Sequence, residues 1–244
     1  MAENPNANPN ANASAIPSGG ARASFIPEKK IRLIIADDHS MVRGAFERML
    51  GVQAGIEVLG AYATADEAVD NALKLKPDVV MLDIDMPGIT AFEAARIIKA
   101  RVEGAKIIFL SGFTHDRYIE AALSAGAVGY VSKNSQPEVA VQAVRDAAAG
   151  KLAFSADVRA RLVIDTKGVR LGDGGDGRAA KLTVRELEVL RYLAQGLAKK
   201  EIAEVMHLSV KTVENHTTNI MDALDIHDRV ALTRWAIREG LVEA

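Results

Sequence analysis

Between residues 31 and 150 short runs of β-branched and aliphatic residues alternate with longer stretches whose apolar positions recur at helical spacing, and this alternation narrows the possible folds more than any other feature. The short runs are IRLIIA at 31–36, IEVLGAY at 56–62, DVVML at 78–82, AKIIFL at 105–110 and VGYV at 128–131. Between and after them lie MVRGAFERML, ADEAVDNALKL, AFEAARIIKARV, RYIEAALSAG and PEVAVQAVRDAAAG, each of helical length. Runs that are apolar throughout suit strands covered on both faces. The pattern therefore predicts (βα) units around a parallel sheet, an α/β domain over residues 30–152.

The flanks differ in texture. Residues 1–29, rich in Asn, Ala, Pro, Ser and Gly, have no hydrophobic period and read as a disordered tail. After Phe154, ADVRARLVI reads as helical and leads into DTKGVRLGDGGDGRAAK, so that 153–180 is expected to be a linker. The run GDGGDG lacks the Gly-Lys-Ser/Thr ending of a phosphate loop and the spacing of a calcium loop. Residues 181–244 are patterned as four helices, TVRELEVLRYLAQG, KKEIAEVMH, VKTVENHTTNIMDAL and RVALTRWAIREG, enough for a small all-α domain. The apolar stripe of the last, with Trp235, suits bundle core or a dimer seam equally well. A chain of 244 residues accommodates two such domains.

Composition removes several classes. Without cysteine there is no disulfide framework, thiolate metal site or cysteine nucleophile. A net charge of -2 gives no global attraction to nucleic acid or anionic membrane, though a local basic face remains open. No apolar run has the roughly 18 residues of a membrane helix, and no leader pattern opens the chain. The expectation is a soluble, cytoplasmic protein with no membrane partner.

In open parallel sheets, ligands bind beyond the carboxyl ends of the strands. Asp37 and Asp38 follow the first run, Asp83 the third, Ser111 the fourth and Lys133 the fifth. Any one aspartate after a strand is ordinarily a cap or turn residue. Five suitable groups after four strands are harder to assign to capping. Carboxylates gathered at one edge repel unless a hard dication shares them, and Mg2+ takes oxygen ligands. Asp83 then serves as metal ligand or as nucleophile, since aspartates form acyl-phosphates. Lys133 is suited to pair with phosphoryl oxygens, Ser111 to donate to another, and Gly112 to leave room for entry. His39 reads as a turn residue beside Asp38 or, less simply, as a ligand or acid.

ADDH at 36–39, LDIDMPG at 82–88, LSG at 110–112 and GYVSK at 129–133 together resemble the receiver domain of bacterial two-component response regulators. The resemblance implies a flavodoxin-like (βα)5 fold in which Asp83 accepts a phosphoryl group from a histidine kinase. It also implies that Asp37, Asp38, Asp83 and the backbone carbonyl of Asp85 hold Mg2+. Ser111 and Tyr130 would form a switch pair, Ser111 drawn to the phosphate as Tyr130 turns inward. From the residues alone, Tyr130 reads rather as a packing aromatic, core or edge, in a last, edge strand. The sequence departs from the pattern at Ala91, where such regulators commonly carry glycine, which questions the local turn because alanine tolerates positive φ poorly.

The segment from Leu182 to Ile226 resembles the helix-turn-helix effector of LuxR/NarL/FixJ regulators. Ser209 suits an N-cap, and Lys211 and Thr212 at that helix start, with Lys199 and Lys200, suit phosphate contacts. On a helix from Val210, Lys211, Asn215, Thr218 and Asp222 share one face, with Thr212, His216 and Asn219 beside it, while Val213, Ile220 and Leu224 turn inward. Asn215, His216 and Asn219 are candidates to read base edges. Thr217 stands where many relatives carry arginine, which would lower phosphate affinity. The chain thus reads as a phosphorylation-controlled, DNA-binding transcription regulator, not an enzyme, that pairs into homodimers when active and binds operator DNA. Two rivals are a signalling adaptor whose helices bind protein and a magnesium-dependent aspartyl-phosphate hydrolase, for which the usual extra general acid and cap domain are missing.

Overall fold

Each predicted apolar run forms a strand, and the sheet holds one strand more than the pattern announced. The computed structural model describes residues 29–166, 168–172, 181–239 and 241–242. All of the expected tail except Lys29, and the stretch 173–180, lie outside these residues. In chain order the first domain contains β1 (Ile31–Ala36), α1 (Ser40–Gly51), β2 (Ile56–Tyr62), α2 (Ala65–Leu75), β3 (Val79–Asp83), α3 (Ala91–Arg101), β4 (Lys106–Ser111), α4 (Asp116–Ser124), β5 (Gly129–Ser132), α5 (Pro137–Ala148) and β6 (Ala153–Phe154). The strands are parallel in the order β2-β1-β3-β4-β5-β6. Because the chain steps outward from β1 to β2 and then crosses back to β3, the loops after β1 and β3 splay apart and leave a crevice at the carboxyl edge.

Alternate strand residues feed two cores. Ile34, Leu82, Phe109 and Tyr130 pack toward α2, α3 and α4, whereas Leu33, Met81, Leu110 and Val131 pack toward α1 and α5. Both faces are covered, which is why β3 is buried at every residue. Tyr130 is not in an edge strand: β6 lies beyond it, pairing Phe154 with Tyr130 and Ala153 with Gly129. A Cβ on Gly129 would meet the Ala153 carbonyl oxygen at 2.5 Å and the Ala153 Cβ at 2.9 Å. Only glycine admits so close a strand, and Gly129→Ala is expected to cost about 1–3 kcal/mol in urea unfolding. Unchanged stability would contradict the docking of β6.

The expected helix ADVRARLVI is divided. Helix α6 covers only Ala156–Arg159, and Val163 and Ile164 lie in β7 (Leu162–Asp165), which forms an antiparallel hairpin with β8 (Gly168–Leu171). Adjacent β-branched residues favour the pleated conformation once a partner strand is at hand. Arg161, just before β7, anchors the hairpin to the first domain through the Thr114 carbonyl and the Asp116 carboxylate.

Ala91 strains nothing. It is the first residue of α3, behind a Thr90 N-cap whose side chain and that of Glu93 form a reciprocal capping box. The positive φ of this turn falls on Gly88, at 94°.

The second domain comprises α7 (Val184–Ala194), α8 (Lys199–Val205), α9 (Val210–Leu224) and α10 (Arg229–Arg238). Thr183, Ser209 and Asp228 cap α7, α9 and α10 by accepting the Glu186, Thr212 and Ala231 amide protons. Leu187, Leu190, Ile202, Val213, Ile220 and Trp235 are buried, so Trp235 belongs to the bundle core. This core is continuous with the one on the α2–α4 side of the sheet, so the two domains are docked.

Candidate functional site

The predicted carboxylates meet in the crevice. Asp37 follows β1 and is fully buried, Asp83 ends β3 and is 1% exposed, and Asp38 is exposed at the rim. The Arg43 guanidinium holds the β1–α1 turn by donating to the Asp37 carbonyl at 2.6 Å, and the His39 amide donates to Asp37 Oδ1 at 2.9 Å. Lys133, just after β5, places its Nζ 2.8 Å from Asp37 Oδ2 and 2.7 Å from Asp83 Oδ2. Both of these inner oxygens are buried and share this one ammonium.

That charge is insufficient. Donor atoms of Asp37, Asp38, His39 and Asp83 lie within 4.8 Å of one another, with Asp85 close by. Burial pushes the Asp83 carboxyl up to about 7; Lys133 opposes this, and Asp37 and Asp85 reinforce it. Burial also raises Asp38, against the pull of His39. For Lys133, burial lowers the ammonium, but Asp83 and the bonds to both aspartates outweigh it and the net movement is upward. Two buried carboxylate oxygens that share one ammonium amid an excess of negative charge fit a hard, oxygen-seeking dication such as Mg2+. His39 Nδ1 is taken up by Asp38 Oδ1 at 2.6 Å, so it reads as the partner of Asp38 in the turn.

Ser111 ends β4, fully buried, and Gly112 beside it faces open space. The Ser111 hydroxyl accepts from the Phe113 amide at 2.8 Å, while the Tyr130 hydroxyl donates to the Phe113 carbonyl at 2.6 Å. Tyr130 is thus turned inward, and burial raises its phenol. The backbone of Phe113 joins the two residues of the expected switch pair.

The crevice opens into a cavity of about 430 Å³ lined by His39, Asp83, Asp85, Gly112 and Lys133 from the first domain and by Gln195 and Val242 from the second. Sequence reasoning missed this closure and the residue at its centre, Arg191. The Arg191 side chain is buried, bonds the Asp85 carboxylate, and lies 5.7 Å above the Phe113 ring and 5.1 Å from that of Tyr192. Its only sequence signal is a cation four residues after Leu187 on the apolar stripe of α7.

In the second domain, Lys199, Lys200, Lys211 and Asn215 are exposed on α8 and α9 as expected. Ser209 caps α9, and its hydroxyl also lies 2.7 Å from that of Thr212, which ties Thr212 into the cap. Asn219 is exposed but donates to Glu186 at 3.2 Å, and His216 is half-buried with its Nδ1 turned inward. Thr217 is no phosphate-facing position: it is buried, its hydroxyl bonding the Val213 carbonyl at 2.7 Å, on the stripe Val213, Thr217, Ile220, Leu224. Among the described residues no helix is long and apolar enough to cross a membrane.

Residues 33–145 match the family model described as the response regulator receiver domain, and residues 180–236 that of bacterial regulatory proteins, luxR family. The chain is 34% identical over 214 residues to the uncharacterized transcriptional regulatory protein YxjL of Bacillus subtilis, a match spanning 88% of this chain and 98% of that one. It is 35% identical to the transcriptional regulatory protein LiaR of the same organism, over 87% of this chain and 99% of that one. With the response regulator protein VraR of Staphylococcus aureus it shares 32% identity, again over 87% and 99%. Among solved structures, the RcsB response regulator of Salmonella typhimurium superposes with a TM-score of 0.52 at 25% identity, covering 85% of this chain and 98% of that one. A LuxR-family two-component response regulator from Aurantimonas gives 0.52 at 33% identity, over 54% of this chain and 94% of that one. With a receiver domain that carries the acidic crevice and a helix-turn-helix domain docked over it, the chain belongs to the LuxR-type two-component response regulators, the DNA-binding transcription regulators of that family.

Proposed function

We propose that Asp83 accepts a phosphoryl group from a histidine kinase and that this event controls operator binding through α9. The observation carrying the proposal is the buried pair Asp37 and Asp83 around one ammonium, with the open Gly112 beside them. An Asp83 carboxylate oxygen attacks phosphorus, the P–N bond of the phosphohistidine breaks, and the leaving imidazole nitrogen takes up a proton. Lys133 pairs with a phosphoryl oxygen, and the Ser111 hydroxyl, which accepts from the Phe113 amide and keeps its own proton, donates to another. Asp37, Asp38, Asp83 and the Asp85 carbonyl would hold Mg2+, which supplies positive charge to the transferring group.

In this reading the receiver, expected to end at 152, runs over 30–154 because β6 belongs to its sheet, 155–180 is the linker and 181–244 the DNA-binding domain, acting in the cytoplasm and pairing into homodimers once phosphorylated. Lys199, Lys200, Lys211 and the α9 N-terminus with Ser209 and Thr212 meet phosphates. Asn215, His216 and Asn219 face bases, Asn219 after leaving Glu186. Phosphorylation must favour one of two arrangements by differential contacts, since a ligand with equal affinity for both shifts nothing.

The test is intact mass after acetyl phosphate and magnesium, followed by retention on DNA over a range of salt. One added phosphoryl group, absent in Asp83→Asn, and salt-sensitive retention that grows on loading are expected. An unmodified wild type would sink the acceptor assignment, and salt-insensitive behaviour in both states would favour a protein-binding adaptor.

A further inference from the structure

Helix α9 is the second helix of the helix-turn-helix, the one whose first turns enter the major groove in this architecture. Among its 15 residues Lys211 is the only lysine or arginine. Over those turns Lys211, Glu214 and Thr218 form an outward stripe at i, i+3 and i+7. Lys211 and Thr218 are exposed, and the Glu214 side chain keeps 43% of its surface free. On a face turned only to solvent, the acid would be one half of an ordinary ion pair. On a face that approaches a polyanion, it has to find a donor.

The hydrogen bonds within the stripe decide what it offers. Lys211 Nζ lies 3.4 Å from Glu214 Oε2, and an ammonium has three donors, so Lys211 can meet a phosphate while it holds this carboxylate. The other Glu214 oxygen has no donor among the described residues. The Thr218 hydroxyl donates to the Glu214 carbonyl at 3.1 Å. Its proton is therefore spent within the helix, and only lone pairs and a methyl group remain to face a ligand. One turn further on, Asp222 is an exposed acceptor as well. The stripe presents oxygen lone pairs and lacks the arginine fork that meets the two acceptors of guanine.

We infer that Glu214 is a specificity-determining residue of α9 and, with Thr218, selects base edges that present an exocyclic amino group, cytosine N4 foremost. The inference rests on the reading of α9 as the helix that meets bases. In the major groove guanine shows two acceptors, thymine an acceptor beside a methyl group, adenine an acceptor beside its amine, and cytosine the amine alone. A carboxylate thus bonds cytosine without facing a lone pair of the same base. Against guanine or thymine it loses water and gains nothing, and an unpaired charge taken out of water costs more than a lost neutral bond. Glu214 therefore acts chiefly by penalising the wrong bases, and it lowers affinity for every duplex that lacks the amine.

The experiment uses the full chain as wild type, Glu214→Gln, Glu214→Ala and Thr218→Val, each with and without acetyl phosphate and magnesium. Duplexes retained from a randomised pool are sequenced, and each variant is melted. The wild type is expected to enrich a cytosine at one position of each half-site. Glu214→Ala should lower that preference about tenfold, and Glu214→Gln should turn it toward adenine, whose N6 and N7 suit an amide. Thr218→Val keeps the shape and the methyl group, and should weaken the preference at one neighbouring position. All three should melt with the wild type, because an exposed pair contributes little to stability. Removing the acid also tightens retention of all sequences alike, which moves no single position of the consensus.

A cytosine preference that survives in both Glu214 variants, or a consensus that fades at every position together, would overturn the inference. An unchanged consensus in Thr218→Val removes Thr218 from it. A wild type retained in a salt-sensitive way but without any consensus also overturns it and leaves α9 as a DNA-binding helix. If no salt-sensitive retention occurs in either state, the reading of α9 itself fails and takes the inference with it.

Discussion

Lys133→Met is expected to slow loading of Asp83 by acetyl phosphate at least a hundredfold near pH 7 and to recover part of that loss by about pH 9. The ammonium does two things. It lies 2.7 Å from Asp83 Oδ2, where it meets the oxygens of an incoming phosphoryl group, and removing one such preorganised donor typically costs about 10²–10³ in rate. It is also the main opponent of burial at the nucleophile, whose carboxyl already stands at about 7. Without Lys133 that carboxyl moves higher in the metal-free site, so near neutrality less of it is ionised and able to attack before magnesium binds. Raising the pH ionises the carboxyl without replacing the phosphoryl partner, so recovery is partial. Time courses by intact mass at the two pH values measure both effects. Wild-type rates near pH 7 would remove Lys133 from the chemistry, and a loss of equal size at both pH values would remove its effect on ionisation.

The residues of this site were legible in the sequence because strand ends are. A parallel sheet puts whatever follows each apolar run at one edge, so Asp37, Asp83, Ser111 and Lys133 could be gathered without knowing a single distance. The same logic failed where a run was too short to show a period. Ala153 and Phe154 make a strand only because Gly129 admits them, and Val163 and Ile164 became a strand because β8 was there to pair with. Thr217 was misjudged because its neighbours invited a comparison with relatives, although its spacing from Val213 and Ile220 placed it inside. Ala91 raised a false alarm, since the turn resolves itself at Gly88. The contact between Arg191 and Asp85 spans 106 positions and depends on how two separately patterned domains dock, about which hydrophobic periodicity is silent.

The acidic cluster that makes the site reactive also burdens the fold, and this has a measurable sign. In metal-free protein, Asp83→Asn is expected to raise the melting temperature by about 5–10 °C near pH 8 and by only about a third of that near pH 5, where the penalty has begun to build. Burial raises the folded-state pKa of Asp83 from 3.8 to about 7. A carboxyl raised in this way favours the folded chain fully below its unfolded value and loses that contribution as the pH climbs through the folded one. Above about pH 7 the chain therefore carries a buried carboxylate it would rather protonate, a penalty on the order of 4 kcal/mol if fully expressed. Asparagine keeps the shape and removes the charge. Magnesium should stabilise the wild type more than the variant and so narrow the gap, because a dication offsets the same repulsion that the substitution abolishes. Equal melting temperatures at both pH values would mean that the carboxylate costs the fold nothing, and the physical case for a cation-seeking crevice would go with it.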